Sequence, residues 1–348
     1  MNLDPELEAF VPLFPRADLS DPVAARTLLA GLAANVPAPE AEGLVVEDET
    51  VPGGSEPGRP PVPVRIYRPV GARGAVVWLH GGGFVAGGLD TEHPWATRIA
   101  AGSGQVVVSV GYRLAPEHPY PAALDDAWAV LNWTVRHADR LGIDPGRIAV
   151  GGHSAGGGLA AALALRARDE GGPSIRFQLL NQPQLDDRQE TWSQRTFTDT
   201  PWIDRDKAGA SWRHYLGALK GSDGQGDVGG ASPEGDTGGA GGTGGAPPSG
   251  PASPDGARPS RPSALGYAAP ARVADLAGLP PAYVATAELC PNRDEDIHYA
   301  LRLLQARVSV ELHQWPGTFH GSQAIVTADV SQRQNAELGA VLRRALTD

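Results

Sequence analysis

The chain has 348 residues, 41% apolar and 20% charged, enough to bury a sizeable core in a single α/β unit carrying insertions. Its net charge of −11, with no Lys/Arg stripe along any predicted helix, argues against a nucleic-acid partner. The acidic start Met1-Asn2-Leu3-Asp4-Pro5-Glu6 lacks a basic and an apolar leader region, the longest apolar run (about Ala155 to Leu165) is too short to span a bilayer, and the single cysteine, Cys290, rules out an intramolecular disulfide; together these predict a cytoplasmic protein with no membrane span.

Residues 1–43 read as a helical segment. Ser20-Asp21 supplies a cap and Pro22 sits just inside the helix that follows, so this part is expected to pack over the remainder as part of a lid. Short β-branched runs begin at Leu44-Val45-Val46 and Val62 to Tyr67, and continue at Ala75 to Leu79, Gln105 to Val110 and Arg147 to Val150. Ile175 to Leu180, Pro281 to Ala285 and Val308 to Leu312 complete the set. Most of the later runs are almost wholly apolar, the pattern of strands covered on both faces. Between them, Leu124, Ala127, Trp128, Leu131 and Val135, and again Ile297, Ala300, Leu301 and Leu304, recur at helical spacing. Strands alternating with helices predict an α/β fold with a mostly parallel sheet, its first part in residues 44–187 and its second in 263–348. Residues 221–262 are Gly, Ser, Pro, Asp and Thr with almost nothing to bury, and read as a low-complexity, disordered insertion.

Two glycine-rich turns follow apolar strands. Gly152-His153-Ser154-Ala155-Gly156 matches G-x-S-x-G after Ile148-Ala149-Val150 and before a small-residue helix, the strand–turn–helix context of a nucleophile elbow. The sharp turn needs glycine two residues to either side of Ser154, lifts its hydroxyl above the sheet, and sets the Ala155 N–H at a helix N-terminus where it can bind an oxyanion. Leu79-His80-Gly81-Gly82-Gly83-Phe84 offers backbone N–H groups with no side chain in the way. It lacks the Gly-Lys-Ser/Thr ending of a phosphate-binding loop. A base is expected in the loop beyond the last strand, which selects His320 in Gly317-Thr318-Phe319-His320-Gly321; His313 lies too near Leu312 to reach Ser154. His80 is expected to orient the glycine loop.

Taken together, these residues resemble the hormone-sensitive-lipase-like family of α/β hydrolases, in its bacterial esterase branch. The likeness runs in order through His80-Gly81-Gly82-Gly83-Phe84, Tyr112 to Asp126, Gly152 to Gly157, Gln182 to Asp187 and Leu279 to Val284. It implies an eight-stranded α/β-hydrolase core, oxyanion donors from the backbones of Gly82, Gly83 and Ala155, and a second lid segment over residues 188–220. There Trp192, Phe197, Trp202, Trp212 and Tyr215 could cover an acyl pocket. It implies a small-molecule ester as substrate, favours short acyl chains cleaved through an acyl-enzyme, and requires no metal or organic cofactor.

This chain departs from the family pattern twice. His153 stands before the nucleophile where the family usually has Asp. The family's acid motif, Asp-Pro-Leu-Arg-Asp-Glu, aligns with Cys290-Pro291-Asn292-Arg293-Asp294-Glu295, so cysteine occupies the acid position. Asp294, one helical turn on, is the expected substitute acid. Cys290 and Glu295 are the other candidates. The expectation is a serine carboxylester hydrolase using Ser154, His320 and Asp294; the alternative is a catalytically weakened hydrolase fold that binds a small ligand.

Overall fold

The computed structural model describes residues 2–13, 18–54, 58–217, 219 and 262–347. The insertion expected over 221–262 lies outside them, apart from Pro262.

The β-branched runs form eight strands: β1 (Val45–Val51), β2 (Val62–Arg68), β3 (Ala75–Leu79), β4 (Val106–Val110), β5 (Ile148–His153), β6 (Phe177–Asn181), β7 (Ala282–Leu289) and β8 (Val310–Phe319). They make one sheet in the order β1-β2-β4-β3-β5-β6-β7-β8. β2 runs antiparallel to β1 and β4, and every other pair is parallel. β3 and β4 are buried at every position, as expected for strands between two helical layers. The edge strand β1 is largely exposed and carries Glu47, Asp48 and Glu49, charges that discourage pairing with another chain.

Eleven helices are described: α1 (Pro5–Glu8), α2 (Pro22–Ala33), α3 (Leu89–Ser103), α4 (Ala122–Arg136), α5 (Ala138–Leu141), α6 (Ala155–Glu170), α7 (Trp192–Thr196), α8 (Arg205–Leu216), α9 (Ala264–Ala268), α10 (Arg293–Gln305) and α11 (Asp329–Thr347). Asp21 caps α2 by accepting from the Val23 and Ala24 N–H groups. Alternate residues of the sheet face two cores. Val77, Leu79, Val108 and Val150 meet α4, α6 and α10 on one side. Val76, Trp78, Val107 and Ala149 meet α3 and α11 on the other. A smaller apolar cluster of Leu19, Ala25, Val85, Ile203 and Ala208 ties α2 to α8 above the carboxyl ends of the strands. Among the described residues no helix is long and apolar enough to cross a membrane.

Three strands run further than their apolar stretches suggest. β5 continues through Gly151 and Gly152 to His153, and β7 continues to Leu289. β8 does not end at Leu312. It passes through Pro316 and Gly317 to Phe319, so the stretch after Leu312 is strand and His320 opens the loop between β8 and α11. A bulge makes this possible. Ala287 pairs with Trp315 and Leu289 with Phe319, leaving Glu288 opposite Pro316, Gly317 and Thr318. Gly317 takes the left-handed conformation at φ +68°, and its N–H donates to the Glu288 carboxylate at 2.6 Å.

Candidate active site

Ser154 is held at φ 56°, ψ −125°, a strained conformation between β5 and α6. The glycines around it are a steric necessity. A Cβ at Gly152 would lie 2.5 Å from the Leu79 carbonyl oxygen, and one at Gly156 would lie 2.0 Å from the same atom. The expected elbow is therefore present, with the serine raised at the carboxyl end of the central strand, where open α/β sheets place their ligand crevices.

The glycine loop leaves β3 beside it. Among the described residues, the N–H groups of Gly82, Gly83 and Ala155 donate to no backbone carbonyl. His80 stacks on Tyr112 with ring centroids 3.9 Å apart, and the Tyr112 hydroxyl donates to the His80 carbonyl at 2.7 Å. His80 Nδ1 lies 2.7 Å from the Gly81 carbonyl oxygen. Burial pushes this imidazole down to about 4, so it is neutral at pH 7 and serves to hold the loop.

His320 Nε2 lies 2.9 Å from Ser154 Oγ, and its Nδ1 lies 3.1 Å from Cys290 Sγ. The register explains the second contact. Leu289 and Phe319 are paired at the ends of β7 and β8, so the next residues, Cys290 and His320, emerge side by side. Burial pushes His320 down to about 4. Cys290 is fully buried, and its thiol is pushed well up by that burial and by the nearby Asp296 carboxyl, while the Asn292 backbone N–H acts in the other direction. The thiol is thus protonated at neutral pH.

The expectation that Asp294 takes the acid position is corrected. Asp294 Oδ2 accepts from the Ser193 N–H at 2.8 Å and Oδ1 from Arg293 Nε at 2.8 Å, while its own N–H donates to Ser193 Oγ. As a first-turn residue of α10 it faces α7 and leaves the imidazole to Cys290. Glu295 is buried elsewhere. Its Oε1 accepts from the Leu185 and Asp186 N–H groups and its Oε2 from Gln194. Burial pushes this carboxyl up to about 8.

A cavity of about 290 Å³ opens above Ser154. Leu29, Leu32 and Val36 from the α2 region line one side, and Trp202, Ile203 and Ala208 another. Of the five aromatics expected to cover an acyl pocket, Trp202 alone lines this cavity. Trp212 and Tyr215 pack against Phe84 in the core, Phe197 is buried, and Trp192 is 60% exposed. Polar groups come from Gln182, Gln184, Asn292 and Gln323. Glu92 and His153 also line it, and neither was singled out as a functional residue in the sequence. Glu92 did carry a signal: it shares helical spacing with Ala96, Ile99 and Ser103, an acid in a stripe that packs inward.

Comparison with known proteins agrees with this architecture. A family model for the α/β hydrolase fold matches residues 76–227 and 253–324. Carboxylesterase NlhH of Mycobacterium tuberculosis is 38% identical over 321 residues, covering 87% of this chain and 83% of the relative. Esterase LipI of the same organism is 37% identical over 266 residues, covering 75% of this chain and 71% of the relative. Among solved structures, a bacterial heroin esterase superimposes with a TM-score of 0.83 at 42% identity, covering 99% of this chain and 98% of the other. The chain belongs to the α/β-hydrolase fold-3 family, the hormone-sensitive-lipase-like group, and is a carboxylesterase-type hydrolase.

Proposed function

We propose that the chain hydrolyses small, uncharged carboxylic esters with short acyl chains, using Ser154 as nucleophile, His320 as base and Cys290 to orient the imidazole. The observation that carries this reading is the 2.9 Å contact between His320 Nε2 and Ser154 Oγ. At neutral pH the imidazole is unprotonated and free to take the serine proton. Oγ then bonds to the ester carbon, and the charge on the carbonyl oxygen is met by the N–H groups of Gly82, Gly83 and Ala155. The C–O bond to the alcohol breaks as the imidazolium returns its proton to the leaving oxygen. Water, deprotonated by the same nitrogen, attacks the acyl-enzyme, and release of the carboxylic acid restores Ser154.

The tautomer decides whether this works. Nε2 accepts the serine proton only when Nδ1 carries the ring hydrogen, and that hydrogen must point at Cys290 Sγ. Sulfur is a weak acceptor and the thiol is neutral, so Cys290 orients the ring without the charge a carboxylate would place beside the imidazolium. The enzyme is therefore expected to be active and slow. Substrate neutrality follows from the cavity wall. Among the described residues its titratable side chains are Glu92, His153 and His320, and burial disfavours the charged form of each. The cavity volume of about 290 Å³ suits a short acyl chain. The binding-only alternative is not favoured, since the relatives carry carboxylesterase and esterase names.

The test is turnover of p-nitrophenyl acetate, butyrate and octanoate beside a Ser154→Ala control. The expected result is hydrolysis that favours the two short chains and falls by roughly a thousandfold or more in the variant. Equal rates for the protein and its Ser154→Ala variant would overturn the reading.

A further inference from the structure

We propose that Glu92 and His153 form a specificity site beside the oxyanion loop, one that selects esters bearing an uncharged hydroxyl near the scissile carbonyl. This inference rests on the esterase reading above and deepens it.

Three observations place the site. First, both residues line the cavity that holds Ser154. His153 precedes the nucleophile, and Glu92 lies in the first turn of α3, the helix that follows the glycine loop. Second, they face each other. Glu92 Oε1 lies 3.5 Å from His153 Nδ1 and accepts the Trp78 indole N–H at 2.6 Å. Third, the imidazole is pressed against the bare Cα of Gly81. A Cβ there would lie 2.5 Å from His153 Cδ2 and 2.6 Å from Nε2. The outer nitrogen of His153 thus sits next to the loop whose following residues, Gly82 and Gly83, meet the substrate carbonyl.

The chemistry follows from which atoms are already engaged. Glu92 Oε1 is taken by Trp78 and faces Nδ1. Among the described residues neither Glu92 Oε2 nor His153 Nε2 has a hydrogen-bond partner. Burial pushes Glu92 up to about 8 and His153 down to about 3, so both are neutral at pH 7. With Oε1 engaged as an acceptor, the acid proton belongs on Oε2. In the proposed pair Nδ1, 3.5 Å from Oε1, carries the ring hydrogen and Nε2 is the acceptor. The pair then offers one donor and one acceptor. A hydroxyl, which also both donates and accepts, satisfies the two together. A carboxylate or ammonium would enter a dry wall with no opposite charge to meet it. A plain alkyl chain would leave both groups unpaired, the situation in which sites discriminate most strongly.

The hydroxyl can belong to the acyl part or to the alcohol, and two pairs of substrates separate these. On the acyl side, p-nitrophenyl 3-hydroxybutyrate is compared with p-nitrophenyl butyrate. On the alcohol side, 2-hydroxyethyl butyrate is compared with propyl butyrate. The measurement is the ratio of kcat/KM within each pair for the wild type, His153→Phe, Glu92→Met and Glu92→Gln. One pair is expected to favour the hydroxylated ester by about fivefold or more in the wild type, locating the hydroxyl. His153→Phe and Glu92→Met abolish that preference, while Glu92→Gln, which keeps an acceptor for Trp78 and a donor toward the cavity, retains most of it. No preference in either pair for the wild type overturns the inference, as does a preference unchanged in His153→Phe. Failure of the wild type to hydrolyse p-nitrophenyl butyrate above Ser154→Ala would instead overturn the esterase reading itself.

Discussion

Cys290 and His320 set the chemical character of this site. In the proposed mechanism, a carboxylate at position 290 would favour the imidazolium formed as Ser154 attacks. The thiol lies 3.1 Å from Nδ1 and stays neutral, and burial alone governs the imidazole, pushing it down to about 4. A base of that strength is fully unprotonated at pH 7, yet it holds the serine proton weakly in the transition state. The pocket around position 290 is nonetheless suited to an acceptor, since the Asn292 backbone N–H acts on the sulfur and favours a negative charge there. Cysteine stands at this position with a backbone donor pointed at its sulfur.

At the scale of elements, the fate of Asp294 shows why the acid could not be assigned from spacing alone. A helix starting at Pro291 would set Asp294 one turn beyond Cys290, whereas α10 begins at Arg293. The helix turns Asp294 toward α7, where it binds the Ser193 N–H. Asp294→Asn is therefore expected to leave kcat for p-nitrophenyl butyrate within about twofold and to lower stability by at most about 1 kcal/mol, as a substituted partly exposed hydrogen-bonding group does. A severe loss of kcat with an unchanged thermal midpoint would return the acid role to Asp294. The sequence did reveal the strand–turn–helix at Ser154, the glycine loop and the parallel sheet, because each depends on local sterics and apolar runs. The length of β8 was hidden because Gly317, Thr318 and Phe319 read as part of the loop beyond the strand, whereas Pro316, Gly317 and Thr318 form a bulge within it. The pairing of Glu92 with His153 was hidden because it joins α3 to the end of β5, a contact that only the folded sheet creates. The aromatics of 188–220 were legible as apolar surface, but which of them point inward depends on how α8 docks on Phe84.

Across the whole molecule, the burial that shapes the site also sets how stability responds to pH. Glu92 and Glu295 are pushed up to about 8 from an ordinary value of 4.5. The folded state therefore holds protons that the unfolded chain has released between those values, and stability falls as pH rises through that window. His80, His153 and His320 are pushed down from 6.5, to about 4, 3 and 4. The unfolded state binds those protons first, so stability falls as pH drops below about 6.5. Burial pushes the Asp296 carboxyl well up too, so between pH 6.5 and 8 three buried acids act without the histidines, and the thermal midpoint should decline across that interval. The decline should become shallower in a Glu92→Gln, Glu295→Gln double variant, with Asp296 supplying what is left, and a midpoint that rises with pH in the wild type would count against neutral buried acids.

The claim that joins these scales is that this hydrolase runs on Ser154 and His320 with a thiol where a carboxylate would serve better. The direct measurement is kcat for p-nitrophenyl butyrate as a function of pH in the wild type and in Cys290→Asp. Asp and Cys are close in size, and the new carboxylate would meet both the His320 ring N–H and the Asn292 backbone N–H. Cys290→Asp is expected to raise kcat by more than about tenfold and to shift the acid limb of the profile to higher pH, because an anion at Nδ1 stabilises the imidazolium. A folded Cys290→Asp protein with unchanged or lower kcat and an unmoved acid limb would contradict the claim.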